Sequence, residues 1–229
     1  GVYELEGDVS SQYVTGLILA LILLPGDSEI RMLSRLESKP YVDLTIACLR
    51  QFGAEVQETA SGYRIPGGQK LHACDQTVEG DYSQAAFFSV ANVLGSTIEL
   101  TNLNPKSVQG DKKIVEITEQ MCYNLKEGLP ACFSVDASDI PDLVPILAVL
   151  ATFGTAPSRI TGAHRLAIKE SDRLSSTAAM LNALGGDVTA TEDGLEIRPV
   201  SELHGGTVDS CGDHRIAMCA AVVATRCTG

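Results

Sequence analysis

The chain has 229 residues, 45% of them hydrophobic, and a formal net charge of −12. That composition belongs to a globular protein with room for one large core or two smaller ones. An acidic chain with no basic tract excludes a nucleic-acid or anionic-membrane surface, so an anion can be held only where the few cations gather. Lys39, Arg165, Lys169, Arg173 and Arg215 are the candidates.

Gly1 leads straight into strand-like sequence, without a Met and without a basic region ahead of an apolar one, so no signal peptide is expected. The stretch Asp8-Val9-Ser10-Ser11-Gln12 then offers two hydroxyls and an amide at a helix start. Helix N-termini carry free N–H groups and partial positive charge, which makes this stretch a competent phosphate cradle. The apolar run Leu17 to Leu24 that follows is too short to span a bilayer, which takes about 20 residues. Ser38-Lys39-Pro40-Tyr41 adds a hydroxyl, a cation and a phenol before a second helix.

From Leu49 the chain reads as helix, glycine stop, strand, tight turn and strand, the last strand being Gly62-Tyr63-Arg64-Ile65. The whole passage returns at Leu181-Asn182-Ala183-Leu184-Gly185-Gly186-Asp187-Val188 and Gly194-Leu195-Glu196-Ile197. A degenerate middle copy runs from Thr118 to Leu125, where the glycine is replaced. Interleaved with these copies are Gly7-Asp8, Gly80-Asp81 and Gly212-Asp213, each before an apolar helix, with Asp136-Ala137-Ser138-Asp139 in the same part. Each is an ordinary capping sequence, and four in one phase make a pattern. The predicted unit is β-α-β-α-β-β, repeating at roughly 60–75 residues, longer than common solenoid periods. Thr77-Val78-Glu79-Gly80 opens a new unit, which suggests two domains, residues 1–78 and 79–229.

Ile140-Pro141-Asp142 places one carboxylate at the mouth of a very apolar helix. A partly desolvated acid suits general-base work, although the same residue equally serves as a helix-start acid complementing the dipole. Further on, Lys169-Glu170-Ser171-Asp172-Arg173 packs two cations and two acids into five residues. If this stretch is helical, Lys169 and Arg173 share a face. Alone it reads as a solvated helix start with local ion pairs. Alongside Gly212-Asp213-His214-Arg215 it reads as one wall of an anion pocket, with fixed cations to hold the anion and a carboxylate for proton chemistry.

The seven cysteines form no C-x-x-C pair and mostly sit in apolar runs, as reduced, mostly buried thiols of a cytoplasmic protein would. His and Cys do not cluster at ligand spacing, so no metal site is expected. Both ends read as cut, the last helical run ending at Arg226-Cys227-Thr228-Gly229, and the expectation is a fragment of a longer polypeptide.

Taken together, GDVSSQY, ESKPYVDLT, VEGDYSQAAFF, the QGD at Gln109 to Asp111, DIPDLVP, IKESDRL and GDHRIAM resemble the 5-enolpyruvylshikimate-3-phosphate synthase family, in that family's order and over nearly the whole chain. The resemblance implies an α/β fold of repeated β-α-β-α-β-β units, part of a two-domain inside-out α/β barrel with a substrate cleft between domains. It implies transfer of the enolpyruvyl group of phosphoenolpyruvate to the 5-hydroxyl of shikimate 3-phosphate, by a monomer and with no metal or organic cofactor. On the family's pattern Ser10, Ser11, Ser38 and Lys169 hold shikimate 3-phosphate, Tyr41 lines the same pocket, and Gln12 sits between the two substrates. Asp142 matches the base near the 5-hydroxyl, and Glu170 the residue that protonates the phosphoenolpyruvate methylene. Arg173 and Arg215 match arginines that hold the phosphoenolpyruvate anion.

Departures accompany the match. The family's upstream Gly-Asp-Lys-Ser and glycine-rich motifs, a further arginine and the closing lysine are not in this sequence, and Ala167 stands where close relatives often carry Arg. The expectation is that the chain alone lacks turnover. The nearest rival is UDP-N-acetylglucosamine enolpyruvyl transferase, whose reactive-cysteine loop is not visible here; a non-catalytic binding or structural fragment is the reading from another class.

Overall fold

The computed structural model describes residues 1–229, which divide into two compact units. One comprises Gly1–Val78 with Lys106–Gly110, the other Glu79–Pro105 with Asp111–Gly229. Residues 106–110, expected within 79–229, therefore group with the first unit.

The first unit is a single β-α-β-α-β-β repeat: β1 (Val2–Leu5), α1 (Ser11–Leu21), β2 (Ser28–Met32), α2 (Lys39–Gln51), β3 (Gln57–Thr59) and β4 (Gly62–Ile65). β1 and β2 pair in parallel, which requires a crossover, and α1 supplies it. β4 pairs antiparallel with both β2 and β3, giving the order β1-β2-β4-β3. Val14, Ile18 and Leu21 of α1 and Val42, Ile46 and Leu49 of α2 recur every three to four residues. That spacing makes one apolar stripe per helix, and both stripes pack on Ile30, Tyr63 and Ile65 of the sheet. The cap of α1 is Ser10, whose hydroxyl accepts from the Gln12 N–H at 3.3 Å. Asp8 instead accepts from the Ser34 hydroxyl, which itself accepts from the Gly7 N–H.

The second unit opens with α3 (Tyr82–Val93) and α4 (Lys113–Glu127). α3 is capped by Asp81, as the sequence pattern suggested. No strand forms between these helices or from Gly128 to Phe133, so the middle copy is helical only. With the glycine of that copy replaced, α4 runs on through Thr118–Leu125 to Glu127 and ends at Gly128, whose φ of 66° is the left-handed turn glycine accepts most readily.

The second full repeat follows as β5 (Ser134–Asp136), α5 (Val144–Thr152), β6 (Ser158–Thr161), α6 (Arg173–Ala183), β7 (Asp187–Ala190) and β8 (Leu195–Arg198). Its sheet order, β5-β6-β8-β7, and its parallel and antiparallel pairings reproduce those of the first repeat. A third β-α-β segment, β9 (Leu203–His204), α7 (His214–Ala224) and β10 (Cys227–Thr228), ends the chain with a short parallel ladder. α5 packs against α3, α6 and α7, and every one of its residues is buried. An element enclosed on all sides shows no amphipathic stripe, which is why its sequence is apolar throughout.

The cysteines depart from expectation. All seven are free thiols, but only Cys219 is buried; Cys48, Cys74 and Cys211 are exposed and the others intermediate. An apolar run does not decide which face of a helix turns inward, and Cys48 falls on the outer face of α2. No helix is long and apolar enough to cross a membrane.

Candidate functional site

The β6–α6 loop carries the charged stretch, and it is not helical where Lys169 and Arg173 would need it to be. A short 3-10 turn spans His164–Ile168, Lys169 is extended (φ −83°, ψ −158°), and α6 begins at Arg173. Asp172 sets that start: its carboxylate accepts from the Ser175 N–H at 3.2 Å and the Ser175 hydroxyl at 2.6 Å. Ser and Asp compete with helical backbone for hydrogen bonds, so a Ser-Asp pair makes a cap in preference to a helix interior. Lys169 and Arg173 therefore share a loop and its exit, not a helical face.

The loop is anchored over its first residues. Asp193, in the β7–β8 turn, accepts from the Gly162 N–H through its carboxylate and from the Ala163 N–H through its carbonyl, both at 2.9 Å. Gly162 has φ 68°, and a side chain there would fall 2.3 Å from Asp136 Oδ1. Arg165, buried, donates to the Ser138 carbonyl at 2.9 Å and so ties this loop to the β5–α5 connection.

Arg173 emerges from that loop with its side chain only 2% exposed and with carboxylates on three sides. Its Nε donates to Asp213 Oδ2 at 2.8 Å, Nη1 to Asp142 Oδ1 at 3.0 Å and Nη2 to Glu170 Oε2 at 2.5 Å. Arg215, in the first turn of α7, donates from Nη2 to Asp142 Oδ2 at 2.8 Å. One Asp142 carboxylate thus bridges two guanidiniums, one oxygen to each. Asp142 lies in a 3-10 turn (Pro141–Leu143) leading into α5, so the cluster joins the starts of α5, α6 and α7, whose dipoles add positive potential. Glu170 is 54% exposed and Asp142 23%, whereas Asp213 is fully enclosed. Lys169, partly exposed, precedes Glu170 on the same loop.

Burial alone would weaken the charged form of Arg173, but the hydrogen bond and charge of Asp213, then the charges of Asp142 and Glu170, outweigh it and hold its pKa above the ordinary value. Asp213 behaves reciprocally. Burial would raise its pKa; the Arg173 hydrogen bond, the Arg215 N–H and the Arg173 charge hold it below the ordinary carboxylate value. Asp213 is the residue that sequence reasoning missed as part of the site. Its signal was visible only as a cap, two residues before Arg215.

In the first unit, Ser10, Ser11 and Gln12 lie at the start of α1, and Ser38 and Tyr41 at the start of α2. Both helices follow the carboxyl ends of the parallel strands β1 and β2, where α/β sheets bind ligands. Ser34 laces the two loops together, helped by the Glu37 N–H donating to the Gly7 carbonyl at 3.0 Å. Ser38 holds a left-handed φ of 55°, uncommon for a residue with a side chain and a form of strain often found at ligand sites. Lys39 is already engaged by Asp43 (2.7 and 2.9 Å) and Glu58 (3.4 Å), so this cation is bound within its own unit.

Known proteins give this arrangement a context. The family model for EPSP synthase (3-phosphoshikimate 1-carboxyvinyltransferase) matches residues 1–229. The 3-phosphoshikimate 1-carboxyvinyltransferase of Clostridium novyi is 44% identical over 238 residues, with 100% of this chain and 55% of that protein covered. That of Clostridium acetobutylicum is 43% identical, covering 99% and 55%. A solved EPSP synthase from Acinetobacter baumannii superposes with a TM-score of 0.80 at 25% identity, covering 100% of this chain and 57% of the other. The chain spans about half the length of the curated relatives it matches. With a match to the family model along its whole length and the repeated fold of the solved synthase, the chain belongs to the EPSP synthase family.

Proposed function

We propose that the protein transfers the enolpyruvyl group of phosphoenolpyruvate to the 5-hydroxyl of shikimate 3-phosphate. The observation that carries this reading is the bridging of Asp142 by Arg173 and Arg215, at 3.0 and 2.8 Å. Two guanidiniums at that spacing clamp one carboxylate, and phosphoenolpyruvate presents one. A substrate carboxylate taking over those nitrogens releases Asp142, which is then free to accept the proton of the 5-hydroxyl.

In this reading the 5-oxygen bonds to C2 of phosphoenolpyruvate as Asp142 takes the hydroxyl proton and Glu170 gives a proton to C3. A C3 proton then returns to Glu170, the C2–O bond to phosphate breaks with its electron pair on phosphate, and the Asp142 proton leaves with it. Fixed positive charge from Arg173, Arg215 and three helix starts stabilises the anion throughout. Ser10, Ser11, Ser38 and Lys169 hold shikimate 3-phosphate, Tyr41 lines its pocket, and Gln12 lies between the substrates. The protein works as a cytoplasmic monomer without metal or organic cofactor, and the 229 residues alone lack turnover.

The test is phosphate release from phosphoenolpyruvate by the full-length protein. Release dependent on shikimate 3-phosphate is expected, and Arg173→Ala or Asp142→Asn should slow it by about a hundredfold or more, the scale of losing a charge or proton partner. Near-wild-type rates in either variant would overturn the role assignments. Release driven by UDP-N-acetylglucosamine in place of shikimate 3-phosphate would overturn the substrate.

A further inference from the structure

Four helix starts in this chain are capped by their own side chains, and one differs from the rest. Ser10 and Asp81 each accept from a backbone N–H of their own helix, and Asp172 from an N–H and a hydroxyl of its own first turn. Asp213 reaches outside its helix. Oδ1 accepts the Arg215 N–H at 2.9 Å, while Oδ2 accepts Arg173 Nε at 2.8 Å and the Ser171 hydroxyl at 3.2 Å. Three donors from two segments thus converge on a carboxylate with no exposed surface.

The geometry divides the guanidinium of Arg173 into two parts. Its Nε is spent on the enclosed Asp213, while Nη1 and Nη2 meet carboxylates that remain partly open to solvent. A guanidinium is a rigid planar fork, so fixing one edge fixes the direction of the others. The same Asp213, by bonding the Arg215 N–H, sets the first turn of α7 from which Arg215 reaches Asp142. Ser171 adds a donor that keeps the carboxylate turned toward Arg173.

We propose that Asp213 is a positioning residue that aims Arg173 and Arg215 as one anion clamp, touching no substrate itself. The proposal rests on the reading above that both arginines hold the phosphoenolpyruvate anion. It assigns Asp142 and Asp213, the two acids that Arg173 and Arg215 share, to opposite roles. Asp142 is the exchangeable partner at the mouth, and Asp213 the permanent one beneath. A cap alone would need only Oδ1, whereas the alignment of Arg173 needs the second oxygen and its charge.

The experiment is a double-mutant cycle in the full-length protein, reading phosphoenolpyruvate affinity and shikimate 3-phosphate affinity separately by calorimetry. Asp213→Asn retains an oxygen for the α7 cap and loses the charge facing Arg173. It should weaken phosphoenolpyruvate about tenfold or more and leave shikimate 3-phosphate within about twofold, the scale of one charge-assisted hydrogen bond. Combined with Arg173→Lys, it should add nothing to the loss that Arg173→Lys causes alone. Additive losses, or equal weakening of both substrates, would make Asp213 a structural residue and overturn the proposal. Should Asp213→Asn fail to fold, Asp213→Ser enters the same cycle, and failure of both to fold assigns the residue to the scaffold. If Arg173→Ala and Arg215→Ala leave phosphoenolpyruvate affinity intact, the functional reading itself fails, independently of Asp213.

Discussion

The two complete repeats, β1 to β4 and β5 to β8, share a backbone and differ in what they do with it. In both, a left-handed glycine ends the second helix: Gly53 at φ 84° against the ring of His72, and Gly185 at φ 92° against the ring of His204. In both, a second glycine passes so close to the neighbouring strand that a side chain would fall within 2.1 Å of the Ile30 carbonyl oxygen (Gly62) or 1.9 Å of that of Ile160 (Gly194). The contrast lies in the first helix and the second loop. α5 is enclosed by other helices, whereas α1 leaves Leu19 45% exposed. The β2–α2 loop carries hydroxyls laced by Ser34, and the β6–α6 loop delivers a buried arginine to three acids. Strand pairing and close approach constrain the scaffold in both copies, while the loops at the carboxyl ends of the parallel strands are free to acquire different chemistry.

That comparison can be broken most severely at the shared glycines. Gly194→Ala and Gly62→Ala should each cost about 4–5 kcal/mol, because the strand pair must separate to admit a methyl group. Denaturant unfolding measures this, and a loss under about 1 kcal/mol in either would mean that the close approach is not essential. Next come the first helices. Leu147→Ala in α5 should cost about 2–5 kcal/mol, and Leu19→Ala on the exposed side of α1 less than about 1 kcal/mol. Equal losses would show that the two helices are equally enclosed.

Asp213→Asn sharpens the contrast between the loops. The folded pKa of Asp213 is depressed, so its contribution is complete above the ordinary value and fades as pH falls through the folded one. Thermal unfolding should show a stability gap of about 1–3 kcal/mol between wild type and variant from neutral pH down to about pH 4, narrowing below it. A gap that closes between pH 5 and 8 would contradict a charged Asp213 paired to Arg173. The smallest effect belongs to Gly16, in α1 with nothing within 4 Å of where a side chain would begin. Gly16→Ala should stabilise the first unit by about 0.5–1 kcal/mol through helix propensity alone, and a loss there would reveal a neighbour pressed against α1.

Much of the scaffold was legible because its signals are local. The Leu49 and Leu181 passages announced the same helix, glycine turn and hairpin, and Ile140-Pro141-Asp142 announced a carboxylate at an apolar helix start. Two readings stopped short of the structure for one reason. The helical face offered to Lys169 and Arg173 and the mostly buried cysteines each took local sequence as a guide to surroundings that it cannot identify. Asp172 took the cap, and helix orientation decided the thiols.

What the sequence determined by itself was the repeat and the inventory of charge near each helix start, since periodicity and capping act over a few residues. Which acid meets which arginine was decided only by tertiary structure. Asp142, Arg173 and Asp213 are far apart along the chain, and α5, α6 and α7 bring them together by packing on one apolar core. In that enclosed setting charges are weakly screened, so three carboxylates converging on one guanidinium fix its direction, which no reading of Arg173 in its own loop could show.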